Sequence, residues 1–384
     1  MGKRVEAIVK PELLIWARKS AGIPLESVEK IFPKIKSWEL NESRPSVSQL
    51  RKLAILYKRP LAVFYLSETP KDFDALHDFR LLWGEEEESF SPELRYEIRL
   101  ANYRRDNILN LYELSNEKIP ILEMQANRNT DENELSKQIR ELLKIKLEDQ
   151  FNLKNENQAF NFWRNAISNR GVLVFQASKI SIQEMRGFSI FHSTIPVIVV
   201  NNKDSFRGRL FSMLHEFVHI LLKKGGLCNL REQKKASSIN QSLEVFCNLV
   251  AGAVLVPESS LLEEEKVERH GPTAEWEDNV ILSLANRYMV SREVILRRLL
   301  IIGKTSQTFY EMKRQQLLNQ YKDLKPRKEG HPQHYIVELS KTGHHYAKKV
   351  LTSYYQNMIS ASELSDYLGM KLKHLPKIEA ELFF

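Results

Sequence analysis

The sequence predicts an α+β protein: an all-α N-terminal domain, a small central sheet followed by helices, and a helical C-terminal region. Three observations predict it. Apolar residues recur at helical spacing through residues 11–67. Between residues 171 and 202 the texture changes to short β-type runs, GVLVF, GFSIFH and PVIVVNN. After them the helical spacing returns and continues into the tail. At roughly 100–200 residues per domain, a chain of 384 residues divides into two or three units, each large enough to bury a core.

Taken in order, PELLIWARKSAG spaces Leu14, Ala17, Arg18 and Ala21 along one helix, with Gly22 as its stop. LESVEKIF adds a short amphipathic turn or two. SVSQLRKLAILYKRP sets Leu50, Leu53, Ala54 and Tyr57 on one face and ends at Pro60. Short helices, tight turns and scattered basic residues fit a helix-turn-helix domain over residues 1–67. Only PKIK separates LESVEKIF from SWEL, which shortens any recognition helix. Lys34, Lys36 and Arg44 are its candidate phosphate contacts, giving salt-sensitive binding with little sequence preference; a protein-docking module is the alternative.

Residues 68–130 read as a helical connector, whose long helix starts with Ser91 as N-cap and Pro92 at its first position. Residues 131–305 are the α+β domain, with a helix in ENELSKQIRELLKI, the three β-type runs, and helices at 206–224, 238–255, 277–289 and 291–302. Residues 306–384 form a helical C-terminal domain with a loop at KPRKEGHPQ. Within it ISASELSDYLGMKLKHL reads as a second helix-turn-helix, capped by Ser360 or Ser362 and turning at Gly369.

Net charge is +8, unevenly spread. Residues 1–67 carry +7 and residues 302–384 carry +5, which leaves −4 for the middle, helped by GEEEES at 84–89. Basic ends suit nucleic acid, and plain solubility is the competing explanation. The opening MGKRVEAIVKPELLIW has no apolar core followed by a small-residue cleavage site. The longest nearly apolar run, VFCNLVAGAVLVP, is too short to cross a bilayer. Two cysteines, Cys228 and Cys247, make no disulfide framework, so the expected compartment is a reducing cytoplasm.

The chemistry is concentrated in FSMLHEFVHILL. On a helix His215 and His219 are i and i+4, so both imidazoles leave the same face and can reach one ion. Glu216, beside the first histidine, is poorly placed to be a ligand. It is well placed to take a proton from a water that a metal has made acidic. This is the H-E-x-x-H spacing of zinc hydrolases, metallopeptidases in particular. The flanking residues are apolar almost all round, so the helix is buried, and two histidines with a carboxylate there need something to satisfy them. The bland explanation is a pair of hydrogen-bonded core histidines.

A third ligand is needed. The metzincin continuation wants glycine and histidine where this chain has Leu222 and Gly225, which excludes that class. Glu244, alone on an otherwise apolar helix, fits after a turn such as KKGGL; Cys247 and Cys228 compete with it. Asn248, one turn beyond Glu244, is a candidate support for the ligands. His344, His345 and His374 lack an i, i+4 partner and read as surface or packing residues. Tyr288 and His270 are candidate oxyanion partners by residue type alone.

HEFVH followed by EVFCNLVAGAVLVP resembles the ImmA/IrrE-type family of bacterial and phage zinc metallopeptidases, whose pattern pairs H-E-x-x-H with a later glutamate in an E-x-x-A-N helix ending in Leu-x-Pro. SWELNESRPSVSQLRKLAILYKRPLAVFYL resembles the Xre/Cro-like helix-turn-helix that often precedes this peptidase. HDFRLLW, LANRYMVSREVILRRLLIIG and ISASELSDYLGMKLKHLPKIE are also similar to family segments, so the resemblance runs over most of the chain. Cys247 departs from it, standing where the family usually has alanine.

The resemblance implies a zincin-like central domain, with His215, His219 and Glu244 as Zn2+ ligands and Glu216 as the catalytic carboxylate. It implies cleavage of a partner repressor, itself a helix-turn-helix protein, and so relief of repression of stress, prophage or mobile-element genes. An edge strand among residues 187–202 is expected to hold the substrate by strand addition. Two other readings stand beside this one. The chain could be a DNA-binding regulator whose peptidase-like domain senses a partner without cutting, or a protein that sequesters the repressor.

Overall fold

The computed structural model describes residues 5–70, 90–223, 226–228, 238–271, 273–323 and 333–383. HDFRLLW and GEEEES lie outside these residues, as does all of KPRKEGHPQ except Gln333 and the Lys224–Gly225 part of the KKGGL turn. The chain divides into two compact units, Met1–Tyr103 and Arg104–Phe384.

The first unit is built from helices α1 (Pro11–Ser20), α2 (Leu25–Glu29), α3 (Ile35–Glu39) and α4 (Val47–Leu56), then a 3-10 turn at Leu61–Tyr65. Pro11 starts α1 where its missing N–H costs nothing. Ser46 starts α4 through a reciprocal capping box with Gln49. Between them the chain turns at Pro33, which disfavours helix at Phe32 and leaves α2 and α3 at five residues each. Leu14, Ala17, Val28, Ile35, Trp38, Leu50, Leu53, Tyr57 and Phe64 form one buried cluster. Arg18 clamps α1 to α3, its Nε and Nη2 donating to the two carboxylate oxygens of Glu39 at 2.8 and 3.0 Å. Lys34, Lys36 and Arg44 are exposed, and Lys36 pairs with Glu29 at 3.1 Å.

Helix α5 (Pro92–Leu114), capped by Ser91, runs across the boundary between the units. In the second unit follow α6 (Glu132–Leu143), α7 (Leu147–Phe151), α8 (Glu156–Ser168), β1 (Leu173–Ala177), β2 (Gly187–Ile190), β3 (Val197–Asn201), α9 (Phe206–Leu221), β4 (Gly226–Cys228) and α10 (Ser238–Leu255). Then come α11 (Glu258–Leu262), α12 (Glu265–Glu268), α13 (Asp278–Arg287), α14 (Arg292–Ile301), α15 (Gln307–Asp323), α16 (His334–Thr342), α17 (His344–Tyr355), α18 (Ala361–Leu368) and α19 (Leu375–Phe383). Lys223 and Met289 adopt left-handed conformations, which stop α9 and α13 short of the ends expected at 224 and 289.

The sheet has the order β1-β3-β2-β4, with β1 parallel to β3 and β2 antiparallel to both its neighbours. Every residue of β1, β2 and β3 is buried, as their largely apolar runs predict for strands covered on both faces. The edge strand expected among residues 187–202 is not there. Both strands in that range are interior, and among the described residues the edges are β1 and β4. Pairing between β2 and the three-residue β4 takes the edge away from β2.

Two sets of long side chains tie the unit together. The last carbonyls of α10 are taken by buried donors: Arg140 on Val254 at 2.8 Å, Gln150 on Leu255 at 3.0 Å and Arg298 on Val256 at 3.0 Å. At the other edge, Leu173 and Ala177 of β1 hydrogen-bond towards β3, so the carbonyl of Val174 faces outward. The buried Arg164 fills that position, donating to Val174 O through Nε at 3.0 Å, and reaches Ser340 O and Lys341 O at the end of α16 at 2.6 and 3.1 Å. Gly343 allows this approach. It has φ +80°, and a Cβ there would lie 2.6 Å from Arg164 Nη2. Ser360, not Ser362, caps α18, and Gly369 ends it in the left-handed conformation. No helix among the described residues is long and apolar enough to cross a membrane.

Candidate metal centre

Helix α9 is fixed at its start by the Ser205 hydroxyl, which accepts from Gly208 N–H at 3.1 Å. It packs against β2, β3, α8 and α10, and this surrounds the middle of the helix with apolar side chains. His215 and Glu216 are fully buried and His219 nearly so. The imidazoles turn towards each other, Nε2 to Nε2, at 3.0 Å. Glu244, from α10, completes the group: its Oε2 lies 3.1 Å from His215 Nε2 and its Oε1 lies 3.1 Å from His219 Nε2. With about a quarter of its side chain exposed, Glu244 is where the cluster meets solvent.

This donor set fits a metal ion. The three groups are the only cluster of three or more His, Cys, Asp or Glu among the described residues able to share one. A four-coordinate ion with bonds of about 2.0–2.1 Å holds its donors about 3.3 Å apart, and here they are 3.0–3.1 Å apart. His215 Nδ1 lies 3.0 Å from Asn248 Oδ1. The amide oxygen accepts, so Nδ1 carries the proton and the lone pair of Nε2 points inward. Asn248 lies on α10, one helical turn beyond Glu244.

The electrostatics carry the same demand for a cation. Burial pulls the His219 pKa down, but Cys247 and Glu244 more than reverse this and hold it up at about 10. Burial pushes the Glu244 carboxylate up, and hydrogen bonds and charge from the two histidines outweigh it, leaving the group well below its ordinary value. A positive charge between these side chains is what both shifts favour. Glu216 moves the other way. Complete burial raises its pKa against the opposing pull of His219, His215 and the Ser189 hydrogen bond.

Glu216 does not join the three donors. It turns towards the sheet, where Ser189 Oγ on β2 donates to its Oε2 at 2.7 Å, while its buried Oε1 has no hydrogen-bond partner. Residues 169–300 match the peptidase family M78, described as an IrrE N-terminal-like domain. The chain carries an IrrE-like domain. No curated protein matches the chain. The matched range takes in the whole sheet, the HEFVH helix and Glu244, so the metallopeptidase family and the donor cluster coincide on the same residues.

Other candidates lie elsewhere in the IrrE-like domain. Tyr288 is buried, with its hydroxyl 2.7 Å from Ser260 Oγ and its ring edge-on to Phe151. His270 stacks on Trp276, and its Nε2 lies 3.0 Å from Thr273 O. Neither is engaged with the histidine pair. Cys247 is buried beside His219 but contributes no donor to the cluster, and the side chain of Cys228 lies outside the described residues. Sequence reading missed Ser189. The strand pattern of GFSIFH marks it as strand but carries no signal that this face meets α9.

Proposed function

We propose that the chain is a zinc-dependent endopeptidase that cleaves a partner helix-turn-helix repressor and so relieves repression of the genes it controls. The observation that carries this reading is the convergence of His215, His219 and Glu244 within 4.8 Å of one another, with an unbonded carboxylate oxygen of Glu216 on the adjoining residue. His215, His219 and Glu244 would hold Zn2+ through Nε2, Nε2 and the carboxylate, with Asn248 steadying the first imidazole. When bound, the ion would polarise the scissile carbonyl and make a water acidic enough to lose a proton near neutral pH.

The rest is done by the chain's own groups. Glu216 accepts the proton at Oε1, the oxygen that Ser189 leaves unbonded, and passes it to the leaving amine. Its raised pKa suits both steps, since a carboxylate that is too acidic would take the proton but not return it. Strand β4 is the edge strand that packs against α9. An extended substrate segment adding to it would be delivered alongside the histidine pair. The resemblance to ImmA/IrrE-type proteins supports a repressor as the substrate, in a reducing cytoplasm where the buried Cys247 stays reduced.

The N-terminal unit enters this reading as a docking or DNA-contacting module. Exposed Lys34 and Arg44 can meet phosphates, whereas the ion pair with Glu29 diverts part of the charge of Lys36.

The test is co-expression with repressors encoded beside the chain's own gene. Full-length repressor should disappear with the native chain. With Glu216→Gln it should persist, at a cleavage rate lower by about 10²–10⁴-fold, while zinc content and folding stay unchanged. A Glu216→Gln chain that still removes the repressor would refute the proposed chemistry. If that chain relieves repression without cutting, the protein sequesters its partner instead.

A further inference from the structure

Glu216 is held on two sides by one strand. Residues 187 and 189 are two apart on β2, so they share a face, and that face meets α9. Ser189, fully buried, donates its hydroxyl proton to Glu216 Oε2 at 2.7 Å. At Gly187 the backbone is not in the left-handed region, so nothing about its conformation calls for glycine. What calls for glycine is space. A Cβ there would crowd Glu216 Cγ and the carbonyl oxygen of Val199, both at 3.3 Å, while meeting Oε1 at an ordinary contact distance of 3.5 Å.

We propose that Gly187 and Ser189 are positioning residues for the carboxylate of Glu216: the hydroxyl fixes one oxygen, the missing side chain leaves room for the Cγ that carries the carboxylate, and Oε1 is thereby held ready for proton transfer. The proposal rests on the metallopeptidase reading of the same site. Its physical basis is orientation. A carboxylate on a three-bond side chain has rotamers to spare. With one oxygen bonded and the group fully buried, the torsions that aim Oε1 are set before a substrate arrives. A serine serving only stability would satisfy a buried oxygen without regard to where the other one points. The two roles therefore separate experimentally.

Kinetics of full-length zinc-loaded protein on its repressor, with Ser189→Ala and Gly187→Ala as variants, measure the effect. Misaiming a reacting group by a fraction of an ångström costs on the order of ten- to a hundredfold in rate. Both variants should therefore lose kcat by about that factor, with KM within about twofold and zinc content unchanged. Ser189→Ala with native kcat would overturn the proposal. So would a loss of activity that follows loss of zinc or of folding, since that is the structural role. A crystal structure of Ser189→Ala provides a decision that needs no activity. Glu216 should occupy a new rotamer or several, with His215, His219 and Glu244 unmoved. A carboxylate that stays in place without the hydroxyl would overturn the proposal even where cleavage is seen. If the native chain cuts no repressor, the peptidase reading fails on its own, and the rotamer of Glu216 still decides the positioning claim.

Discussion

At the scale of single residues, the site is a set of costly groups that make sense only together. Burying His215, Glu216 and His219 in a helix surrounded by apolar side chains is unfavourable for each one alone. Glu244 and Asn248 offset part of this, and the raised His219 and depressed Glu244 pKa values show that the remainder is a demand for positive charge. In the metal-free protein that charge is a proton. A histidine whose pKa is raised keeps its proton through neutral pH, so its stabilisation is complete below about 6.5. It is lost as pH rises towards about 10. Metal uptake between pH 7 and 8 should therefore release about one proton from this cluster. Calorimetry in two buffers of different ionisation enthalpy should show that release; uptake with no buffer dependence would contradict the raised value.

The residues of the donor cluster, and Glu216 beside it, were legible in the sequence because their signals are local. His215 and His219 declare a shared face by spacing alone, and Glu244 stands out as a carboxylate in an apolar helix with Asn248 one turn on. Ser189 and Gly187 gave no such signal. Their role arises from a strand face meeting a helix, a contact between segments about 27 residues apart that no short-range pattern encodes.

At the scale of elements, the sequence revealed the helices and three of the strands, but not their order in the sheet. β4 is three residues, GLC, without strand alternation, and its pairing with β2 moves the free edge to a place no longer run suggests. The C-terminal end of α10 was equally hidden. Pro257 marks where the helix stops, but only the fold brings Arg140, Gln150 and Arg298 to its last carbonyls. Gln150 is the most informative to change. Fully buried, it donates to Leu255 O and Tyr288 O, both at 3.0 Å, and accepts from Arg140. Gln150→Met keeps the volume and takes the donor from Leu255 O and Tyr288 O, while Arg140 keeps its bond to Val254 O, so denaturant unfolding should show a loss of about 2 kcal/mol or more. A change near zero would mean that Arg140, Arg298 and packing hold the end of α10, and Glu244 with it, without this amide.

At the scale of the whole molecule, the C-terminal region is part of the second unit rather than a separate body beside it. Arg164 closes the outer edge of β1 and grips the end of α16 in one network, and α16 and α17 pack on the same strand. An edge filled by a guanidinium cannot recruit another strand. Replacing Arg164 by alanine leaves three carbonyls without that donor and should speed hydrogen exchange in both β1 and α16 by on the order of a hundredfold or more. Unchanged protection of α16 would show that its packing needs no such clasp. The basic charge at the two ends of the sequence falls in both units, so it does not by itself assign nucleic-acid binding to either.

The most direct measurement is X-ray absorption at the zinc edge on the purified full-length chain, beside Glu244→Ala. The site described above predicts one zinc per chain with two imidazole nitrogens and a carboxylate oxygen at about 2.0–2.2 Å, and loss of that signal in Glu244→Ala. A chain that takes up no zinc, or a zinc bound through sulfur and indifferent to Glu244, would contradict it.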